Sequence, residues 1–439
     1  MALSKEEIDG NFNDLHKPLN HQQALEESDR CLYCYDAPCI QACPTSIDIP
    51  TFIHQIRSDN TTGAALTILS ENIMGGTCAR VCPTEVLCQE VCVLNVSHQQ
   101  PVEIGLLQRH AIDTFLSQSS KHPFNRRELS GKSIAVIGAG PAGLSCSHRL
   151  SMLGHEVTIY EAKKKAGGLN EYGLAQYKMV DNYAQTEVDF IQQIGGITIK
   201  NNQKLGNNLS LESLQNKFDA IFIGVGLGKT YSLGLENENT EGVHDAVDFI
   251  EKLRQADNKT SIDVGNDVVV IGAGNTAIDA AVQAKCLGAE NVTLVYRRGE
   301  EHMSATTYEI ELARKNGVTI KTWLAPTAII ADEHIAQIDC TKTDLREGKL
   351  IQTIFKETIA CDMLLKAIGQ KLNVSDLDDI QIENGKIVID ANYQTTIQGV
   401  YAGGDAIKSG EDLTVQAVED GKQAAEAIDR HLMQLRGEK

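Results

Sequence analysis

Residues 133–143, SIAVIGAGPAG, decide the fold of this chain. The apolar residues at 134–137 predict a short buried strand that runs directly into a glycine turn and then a helix. A second apolar stretch, at 157–160, follows at the distance expected for the next strand of a parallel sheet. In such a turn the first glycine allows the sharp bend, the second lets the backbone approach a pyrophosphate, and the third lets helix and strand pack closely. The stretch therefore predicts a doubly wound α/β domain that binds a dinucleotide.

One acidic residue, Glu161, directly follows the second apolar stretch. A carboxylate at this place can accept a hydrogen bond from a ribose hydroxyl, whereas the alternative is an acid that ends a strand in solvent. The proline in the turn and the early position of the motif favour FAD as the dinucleotide. The candidate FAD contacts here are Gly138, Gly140, Pro141, Ala142, Gly143 and Glu161.

The same arrangement recurs around a second glycine turn at 272–277. No acid follows its second strand, and Arg297 and Arg298 stand there instead. Arginine accommodates a 2′-phosphate, which an acid would repel, so this turn favours NADPH over NADH. Glu300 and Glu301 nearby weaken that preference, and a pair of surface arginines on a loop is the alternative. The candidate coenzyme contacts are Gly272, Gly274, Asn275, Thr276, Ala277, Arg297 and Arg298.

A third glycine motif lies near the C-terminus, at 399–405. An aspartate at such a strand end, here Asp405, can hold the ribityl chain of a flavin. Residues 415–428 predict a helix whose first backbone N–H groups can face the carbonyl edge of the flavin. The motif would close a discontinuous FAD domain, with contacts at Gly404, Asp405, Thr414 and Val415.

The cysteines are concentrated near the N-terminus, because eight of the 12 lie between Cys31 and Cys92. In a reducing compartment, cysteines clustered in this way are metal ligands or redox groups rather than disulfides. Structural zinc sites usually show two separated pairs of ligands, whereas two dense groups with Cys-Pro steps favour two 4Fe–4S clusters. The single CxxC pair, Cys31 and Cys34, lies inside this region. A disulfide reductase, which needs a redox-active cysteine pair near the flavin, is therefore disfavoured.

Composition and charge narrow the class of protein further. The chain has 439 residues, is 42% hydrophobic and 23% charged, and carries a net charge of −19. Such a chain is globular and repels nucleic acid, so no nucleic-acid partner is expected. No apolar run approaches the roughly 18 residues of a membrane span, and the polar N-terminus is unlike a signal peptide. We therefore expect no membrane association and a cytoplasmic location.

The predicted architecture is an α+β multidomain chain, with an N-terminal α-helical iron–sulfur domain followed by two α/β doubly wound dinucleotide-binding domains. Apolar residues at helical spacing in 51–56, 64–71 and 104–115 support the helical part. The predicted boundaries are 1–125 for the iron–sulfur domain, 126–240 and 362–439 for the two FAD-binding segments, and 241–361 for the NAD(P)-binding domain.

Taken together, these motifs resemble flavoproteins that have two dinucleotide-binding domains and an N-terminal iron–sulfur domain. This group includes the dihydropyrimidine dehydrogenases and the glutamate synthase small subunits. The cysteine spacing, with DAPC at 36–39 and CARVCPT at 78–84, resembles the dihydropyrimidine dehydrogenases more closely. The resemblance also implies flavin-side contacts at Gly168, Leu169 and Gln176.

The resemblance further implies an unusual set of cluster ligands, with one glutamine. Counting cysteines alone would make Cys78 an eighth thiolate ligand, whereas the resemblance leaves Cys78 spare and uses Gln108. Its implied ligands are Cys31, Cys34, Cys39 and Cys92 for the first cluster, and Cys43, Cys82, Cys88 and Gln108 for the second.

The function that the resemblance implies is electron input. NAD(P)H would reduce FAD, and two 4Fe–4S clusters would pass single electrons to a partner subunit bearing FMN and iron–sulfur clusters, which interconverts uracil or thymine and their dihydro forms. A glutamate synthase or another acceptor is the alternative destination, and a non-catalytic redox-sensing scaffold is a third hypothesis. No catalytic acid or base is predicted, because hydride transfer to a flavin needs none.

Overall fold

The computed structural model describes residues 3–119, 121–373, 377–408 and 411–437. The chain divides into two compact units. The larger unit comprises His16–Glu171, Asp181–Gly228 and Leu372–Lys439. The smaller unit comprises Met1–Leu15, Tyr172–Val180 and Lys229–Lys371.

The described part of residues 3–119 contains helices and no strand, as the sequence predicts. Asp48 and Asn60 cap two of these helices through their side-chain oxygens, and apolar residues at helical spacing turn inward, among them Phe52, Ile56 and Ile68. The helices are α1 (Lys5–Asn11), α2 (His21–Ser28), α3 (Pro38–Gln41), α4 (Ile49–Arg57), α5 (Thr61–Glu71), α6 (Gly75–Val81), α7 (Val93–Val96) and α8 (Ile104–Gln118).

Strands begin at Ser133 and alternate with further helices to the end of the chain. The remaining helices are α9 (Pro141–Met152), α10 (Leu169–Tyr172), α11 (Tyr183–Gln192), α12 (Leu211–Gln215), α13 (Ala246–Gln255), α14 (Asn275–Leu287), α15 (Thr307–Lys315) and α16 (Thr414–Gly437). The strands are β1 (Ser133–Ile137), β2 (Glu156–Tyr160), β3 (Ile197–Lys200), β4 (Ala220–Ile223), β5 (Lys229–Thr230), β6 (Val243–Asp245), β7 (Asp267–Ile271), β8 (Asn291–Val295), β9 (Thr319–Lys321), β10 (Leu324–Ala331), β11 (Ile335–Arg346), β12 (Lys349–Ala360), β13 (Met363–Lys366), β14 (Gln370–Lys371), β15 (Ile382–Glu383), β16 (Lys386–Ile387) and β17 (Val400–Ala402).

The sheet of the larger unit has the strand order β17-β4-β1-β2-β3, and all neighbouring strands are parallel. Every residue of β4 is buried, as expected for a parallel strand covered on both faces. The strand order reverses between β1 and β4. Ligands of doubly wound sheets bind in the crevice at such a reversal, outside the carboxyl ends of the strands.

The smaller unit contains a second parallel sheet, in the order β6-β13-β7-β8-β9, and an antiparallel sheet, β10-β11-β12. The strand order of the parallel sheet reverses between β7 and β13, which places a second crevice there. The α/β doubly wound architecture that the sequence predicts is therefore confirmed for both sheets.

The two compact units do not follow all the boundaries that the sequence predicts. The last segment of the larger unit begins at Leu372 rather than at 362, because Met363–Lys366 pairs with β7 in the sheet of the smaller unit. Residues 172–180 and 229–240 also belong to the smaller unit. The first 15 residues belong to the smaller unit instead of the helical domain, because Ile8 and Phe12 are buried in its core. The C-terminal helix also extends beyond the predicted 415–428. Among the described helices, none combines the length and apolar character needed to cross a membrane.

Candidate cofactor-binding and electron-transfer site

The first glycine turn lies at the crevice of the larger sheet. Gly138 has a φ of +98°, and a Cβ added there would lie 2.5 Å from the carbonyl oxygen of Gly224 at the end of β4. A Cβ at Gly143 would lie 1.9 Å from the carbonyl oxygen of Gly138. These two positions need glycine for the fold itself, because a side chain would collide with backbone. Pro141 occupies the first position of α9, where its missing N–H costs no hydrogen bond.

Gly140 differs from Gly138 and Gly143, because a Cβ added at Gly140 would contact only the Cα of Gly168, at 3.7 Å. Its backbone is extended, with φ −79° and ψ −176°, so the conformation does not require glycine either. The absence of a side chain at Gly140 thus leaves open space in front of the N-terminus of α9. That space fits a pyrophosphate, which the N–H groups of a helix N-terminus bind.

Glu161 is a buried residue rather than an acid in solvent. Its Oε2 accepts a hydrogen bond from the N–H of Ala139, and its Oε1 accepts one from the N–H of Lys163, both at 2.8 Å. Burial raises the pKa of Glu161, and these two backbone donors oppose the rise. The carboxylate is thereby fixed beside the glycine turn, where a ribose hydroxyl of a bound dinucleotide would reach it.

The C-terminal motif meets the same turn. Gly404 has a φ of +72°, and a Cβ there would lie 3.0 Å from the Cβ of Ala142 in the first turn of α9. The N–H of Gly404 donates to Asp420 Oδ2 at 2.9 Å. Burial, with a contribution from the charge of Asp412, raises the pKa of Asp405 to about 6. Asp405 is thus a partly buried side chain next to Gly404 and the first turn of α9.

The beginning of α16 is tied to the loop that carries Gly168 and Leu169. Thr414 Oγ1 donates to Asn170 Oδ1 at 3.2 Å, and Leu169 itself is exposed. Gln176, in contrast, lies in the smaller unit, where its N–H donates to Gln283 Oε1 of α14 at 2.9 Å. The structure therefore groups the predicted flavin contacts around the N-termini of α9 and α16, apart from Gln176.

The second glycine turn repeats the geometry of the first within the smaller unit. A Cβ at Gly272 would lie 2.1 Å from the carbonyl oxygen of Ala367, at the end of β13. A Cβ at Gly274 would meet only Ser304 Oγ, at 3.2 Å. The helix α14 begins at Asn275, with Thr276 and a buried Ala277 in its first turn. Arg297 and Arg298 follow β8 and are exposed.

The candidate cluster ligands separate into two cavities in the larger unit. The first cavity brings together Cys31, Cys34, Cys39 and Cys92. The second cavity brings together Cys43, Cys78, Cys82, Cys88 and Gln108. Sulfur donors around an apolar cavity suit iron–sulfur clusters better than hard cations. Both sets therefore fit the groups that the sequence predicts, and the second set still contains both Cys78 and Gln108.

Some of the candidate cysteine ligands have a raised pKa. Burial raises the pKa of Cys39 and of Cys88 to about 12. A hydrogen bond with Cys78, together with burial, raises the pKa of Cys82. Thiolates at these positions would thus need the positive charge of bound iron, which displaces the protons.

Gln108 is buried on α8, and its Nε2 donates to the carbonyl oxygen of Gly75 at 2.7 Å. This bond orients the amide, and a metal ligand at Gln108 would have to be its other polar atom, Oε1. An amide oxygen is a harder ligand than a thiolate.

Sequence reasoning did not identify Ile49 and Ile104, which line both cavities. Val415 of α16, which the sequence predicts as a flavin contact, also lines the second cavity. The two cavities therefore share a wall, and the second adjoins the helix start proposed to face the flavin. Gly224 was also missed, although the apolar run at 220–223 that precedes it is the same strand-then-glycine signal.

Two protein-family models match this chain, one in the helical N-terminal region and one in the region that contains the strands. Residues 8–120 match the family model described as dihydropyrimidine dehydrogenase domain II, 4Fe–4S cluster. Residues 132–421 match the pyridine nucleotide-disulphide oxidoreductase family.

The relatives agree with both family models. The chain is 36% identical to the NAD-dependent dihydropyrimidine dehydrogenase subunit PreT of Escherichia coli K12, over 93% of this chain and 94% of that protein. It is 30% identical to the putative oxidoreductase AegA of the same strain, over 95% of this chain and 67% of that protein. Among solved structures, Mycobacterium tuberculosis FprA in complex with NADPH is similar in fold, with a TM-score of 0.60 and 16% identity over 71% of this chain and 86% of that one.

These findings agree with the two crevices and the cysteine-lined cavities. The chain is an NAD(P)H-dependent oxidoreductase with an iron–sulfur domain and a flavin- and nicotinamide-binding region. It belongs to the family of the NAD-dependent dihydropyrimidine dehydrogenase subunit PreT.

Proposed function

We propose that this chain is the electron-input subunit of a dihydropyrimidine dehydrogenase. In this proposal the chain would hold FAD and two 4Fe–4S clusters, which would take electrons from NAD(P)H to a partner subunit bearing FMN and iron–sulfur clusters. That partner would interconvert uracil or thymine and their dihydro forms. The observation that carries the proposal is the pair of cysteine-lined cavities, the second of which adjoins the N-terminus of α16.

In the proposed mechanism the chain positions the cofactors and supplies no acid or base. The N-terminus of α9 would bind the pyrophosphate of FAD, Glu161 would accept a hydrogen bond from a ribose hydroxyl, and Asp405 would accept one from the ribityl chain. The turn at 272–277 binds the pyrophosphate of the coenzyme in the same way. Nicotinamide gives two electrons together as a hydride, whereas an iron–sulfur cluster accepts one electron at a time. A bound flavin would supply the missing chemistry, because it can accept a hydride and release single electrons.

The contacts around the cavities support one order of transfer. Val415, in the first turn of α16, lines the second cavity, and Ile49 and Ile104 line both cavities. The second cavity would therefore hold the cluster nearer to the flavin, and the first cavity would hold the cluster that serves the partner.

The eighth cluster ligand is tested by two substitutions in the second cavity. Cys78→Ser is expected to leave both clusters in place, because Cys43, Cys82, Cys88 and Gln108 complete the ligand set without it. Gln108→Leu is expected to remove the second cluster, which corresponds to about four iron atoms per chain. Iron and labile sulfide are measured on anaerobically purified protein. Loss of a cluster in Cys78→Ser together with its retention in Gln108→Leu would instead make Cys78 the ligand.

We propose that the partner binds at the surface beside the first cavity. Leu32 and Val93 line this cavity and are exposed, and Tyr35 and Val96 are exposed close to them in the chain. We call these four residues the exit patch. Residues 91–102 contain no Asp, Glu, Lys or Arg, although the chain as a whole is 23% charged. Depletion of charge and enrichment of aromatic residues are typical of the centre of a protein interface.

Leu32→Glu and Val96→Glu are expected to lower uracil-dependent NAD(P)H oxidation about tenfold or more when the partner is present, because a charge would be buried at the interface. Reduction of ferricyanide by NAD(P)H should remain unchanged. Phe355→Glu is the matched control, because Phe355 is an equally exposed apolar residue on β12. An equal effect of all three substitutions would exclude the exit patch as the docking site.

The destination of the electrons is tested by anaerobic copurification of this chain with its partner. An FMN-bearing subunit whose complex oxidises NAD(P)H in the presence of uracil supports the proposal. A large amidotransferase-type subunit would instead identify a glutamate synthase, with the same electron path and a different acceptor.

A further inference from the structure

Asn72 lies in the turn between α5 and α6 and is completely buried. Its N–H donates to the carbonyl oxygen of Ile68 at 2.8 Å, and its carbonyl oxygen accepts from the N–H of Gly75 at 3.0 Å. Its Oδ1 accepts from the N–H of Met74 at 3.0 Å, which makes an Asx-turn. Three of the four hydrogen-bonding groups of Asn72 are therefore used within the turn, and they fix the direction of its side-chain amide.

The fourth group is the amide Nδ2, which has no hydrogen-bond acceptor in the part of the chain that the structure describes. Burial of an amide donor without an acceptor destabilises a fold, so buried donors in folded proteins nearly always have a partner. Asn72 also lines the second cavity, together with Cys43, Cys82 and Cys88. A group bound in this cavity would supply the acceptor that Nδ2 lacks.

The other polar side chains around the second cavity already donate to protein atoms. Besides the cysteines and Asn72, its described lining includes two side chains with polar atoms, Thr84 and Gln108. Thr84 Oγ1 donates to Gln89 Oε1 at 2.8 Å, and Gln108 Nε2 donates to the carbonyl oxygen of Gly75 at 2.7 Å. Asn72 Nδ2 is therefore the amide donor that the described lining leaves available to a bound group.

We propose that Asn72 Nδ2 donates a hydrogen bond to a sulfur atom of the second cluster and thereby raises the reduction potential of that cluster. The inference rests on the proposed function and adds a residue that tunes the electron path without being a ligand. The sulfur atoms become more negative when the cluster gains an electron, so a donor stabilises the reduced form more than the oxidised form. The effect is strengthened in a buried site, where water does not screen it.

The test is a redox titration of the full-length, cofactor-loaded protein with dithionite and mediators, followed by electron paramagnetic resonance. Asn72→Leu removes the donor and the acceptor of the Asx-turn. Asn72→Ser removes the amide donor but keeps an acceptor for the N–H of Met74, because a serine hydroxyl can form the same kind of turn.

We expect both variants to keep the iron content of the unaltered protein. The reduction equilibrium of the second cluster should shift about tenfold toward the oxidised form, which lowers its midpoint potential by about 59 mV for one electron. The first cluster should titrate as in the unaltered protein, because the residues described around its cavity do not include Asn72.

Asn60→Leu is the matched control at the other end of α5. Asn60 Oδ1 accepts from the N–H of Gly63 at 2.9 Å, so this substitution also removes a bond between an asparagine side chain and the backbone. Asn60 is outside the described lining of the second cavity, and its loss should leave the potential of the second cluster unchanged.

Three results would overturn the inference. One is an unchanged potential of the second cluster in the Asn72 variants that retain it, and another is an equal shift in Asn60→Leu. The third is a shift of the flavin potential alone, since Nδ2 would then donate to the flavin.

A measurement on the unaltered sequence decides the matter if both Asn72 variants lose the second cluster. Protein labelled with ¹⁵N in the side-chain amide of asparagine is reduced and measured by pulsed electron paramagnetic resonance. We expect a ¹⁵N coupling to the reduced second cluster, and its absence would overturn the inference. If iron and labile sulfide show that the unaltered protein holds no second cluster, the proposed function itself fails.

Discussion

Gly140→Val is expected to yield a folded protein that does not bind FAD. A Cβ at Gly140 has no neighbour closer than the Cα of Gly168, so the apoprotein can accept it. A side chain there fills the space through which the pyrophosphate would reach the N-terminus of α9. FAD released by denaturing the protein after gel filtration should be absent from Gly140→Val, and Gly140→Ala should show a smaller loss of affinity.

Cluster content and the circular dichroism spectrum show whether the Gly140 variants are folded. Gly143→Val is the contrasting variant, because its side chain would collide with the carbonyl oxygen of Gly138 and destabilise the sheet as well. Gly10→Ala is the neutral control, since no atom lies within 4 Å of its added Cβ. Stoichiometric FAD in Gly140→Val would show that the pyrophosphate lies elsewhere.

Cys82→Ser is expected to remove the second cluster and to interrupt electron transfer between the flavin and the first cluster. Because Cys82 lines only the second cavity, the first cluster should remain, and the iron content should fall by about four atoms per chain. NAD(P)H should still bleach the flavin, while uracil-dependent oxidation with the partner falls by about 100-fold or more, since the intermediate carrier is missing.

The spectroscopic signature separates this expectation from general damage. Electron paramagnetic resonance after reduction by NAD(P)H should show no reduced first cluster in Cys82→Ser, whereas dithionite should still reduce it. Cys286→Ser is the control, because Cys286 is a buried thiol on α14, outside the cavities. If NAD(P)H reduced the first cluster as quickly as in the unaltered protein, the second cavity would not lie on the electron path.

Much of this fold could be predicted from the sequence, because its signals are local. An apolar run such as 134–137, followed by closely spaced glycines, specifies a buried parallel strand and its turn without knowledge of the rest of the chain. The boundary at 362 could not be placed in this way. Met363–Lys366 is an apolar run that fits either sheet, and its pairing with β7 depends on contacts distant in sequence.

The spacing of the cysteines alone could not predict which of them line the first cavity and which line the second. Cys39 and Cys43 are four residues apart, and they would share one face of a continuous helix. The helix α3 ends at Gln41, so Cys43 lies beyond it and lines the other cavity. Only the resemblance to a known family anticipated this division, and the choice between Cys78 and Gln108 depends on iron coordination rather than on backbone structure.

The placement of the first 15 residues has a consequence for how chains of this kind can be dissected or recombined. Ile8 and Phe12 are buried among residues of the smaller unit, and Asn11 Nδ2 donates to the carbonyl oxygen of Cys286 at 2.9 Å. A gene fragment ending after the helical region would thus carry an N-terminal segment whose packing partners are encoded far downstream, as the Asn11–Cys286 pair, 275 residues apart, shows. The boundaries of the compact units therefore do not coincide with a simple division of the gene into consecutive modules. An expression fragment meant to isolate the cluster-binding region should begin at His16.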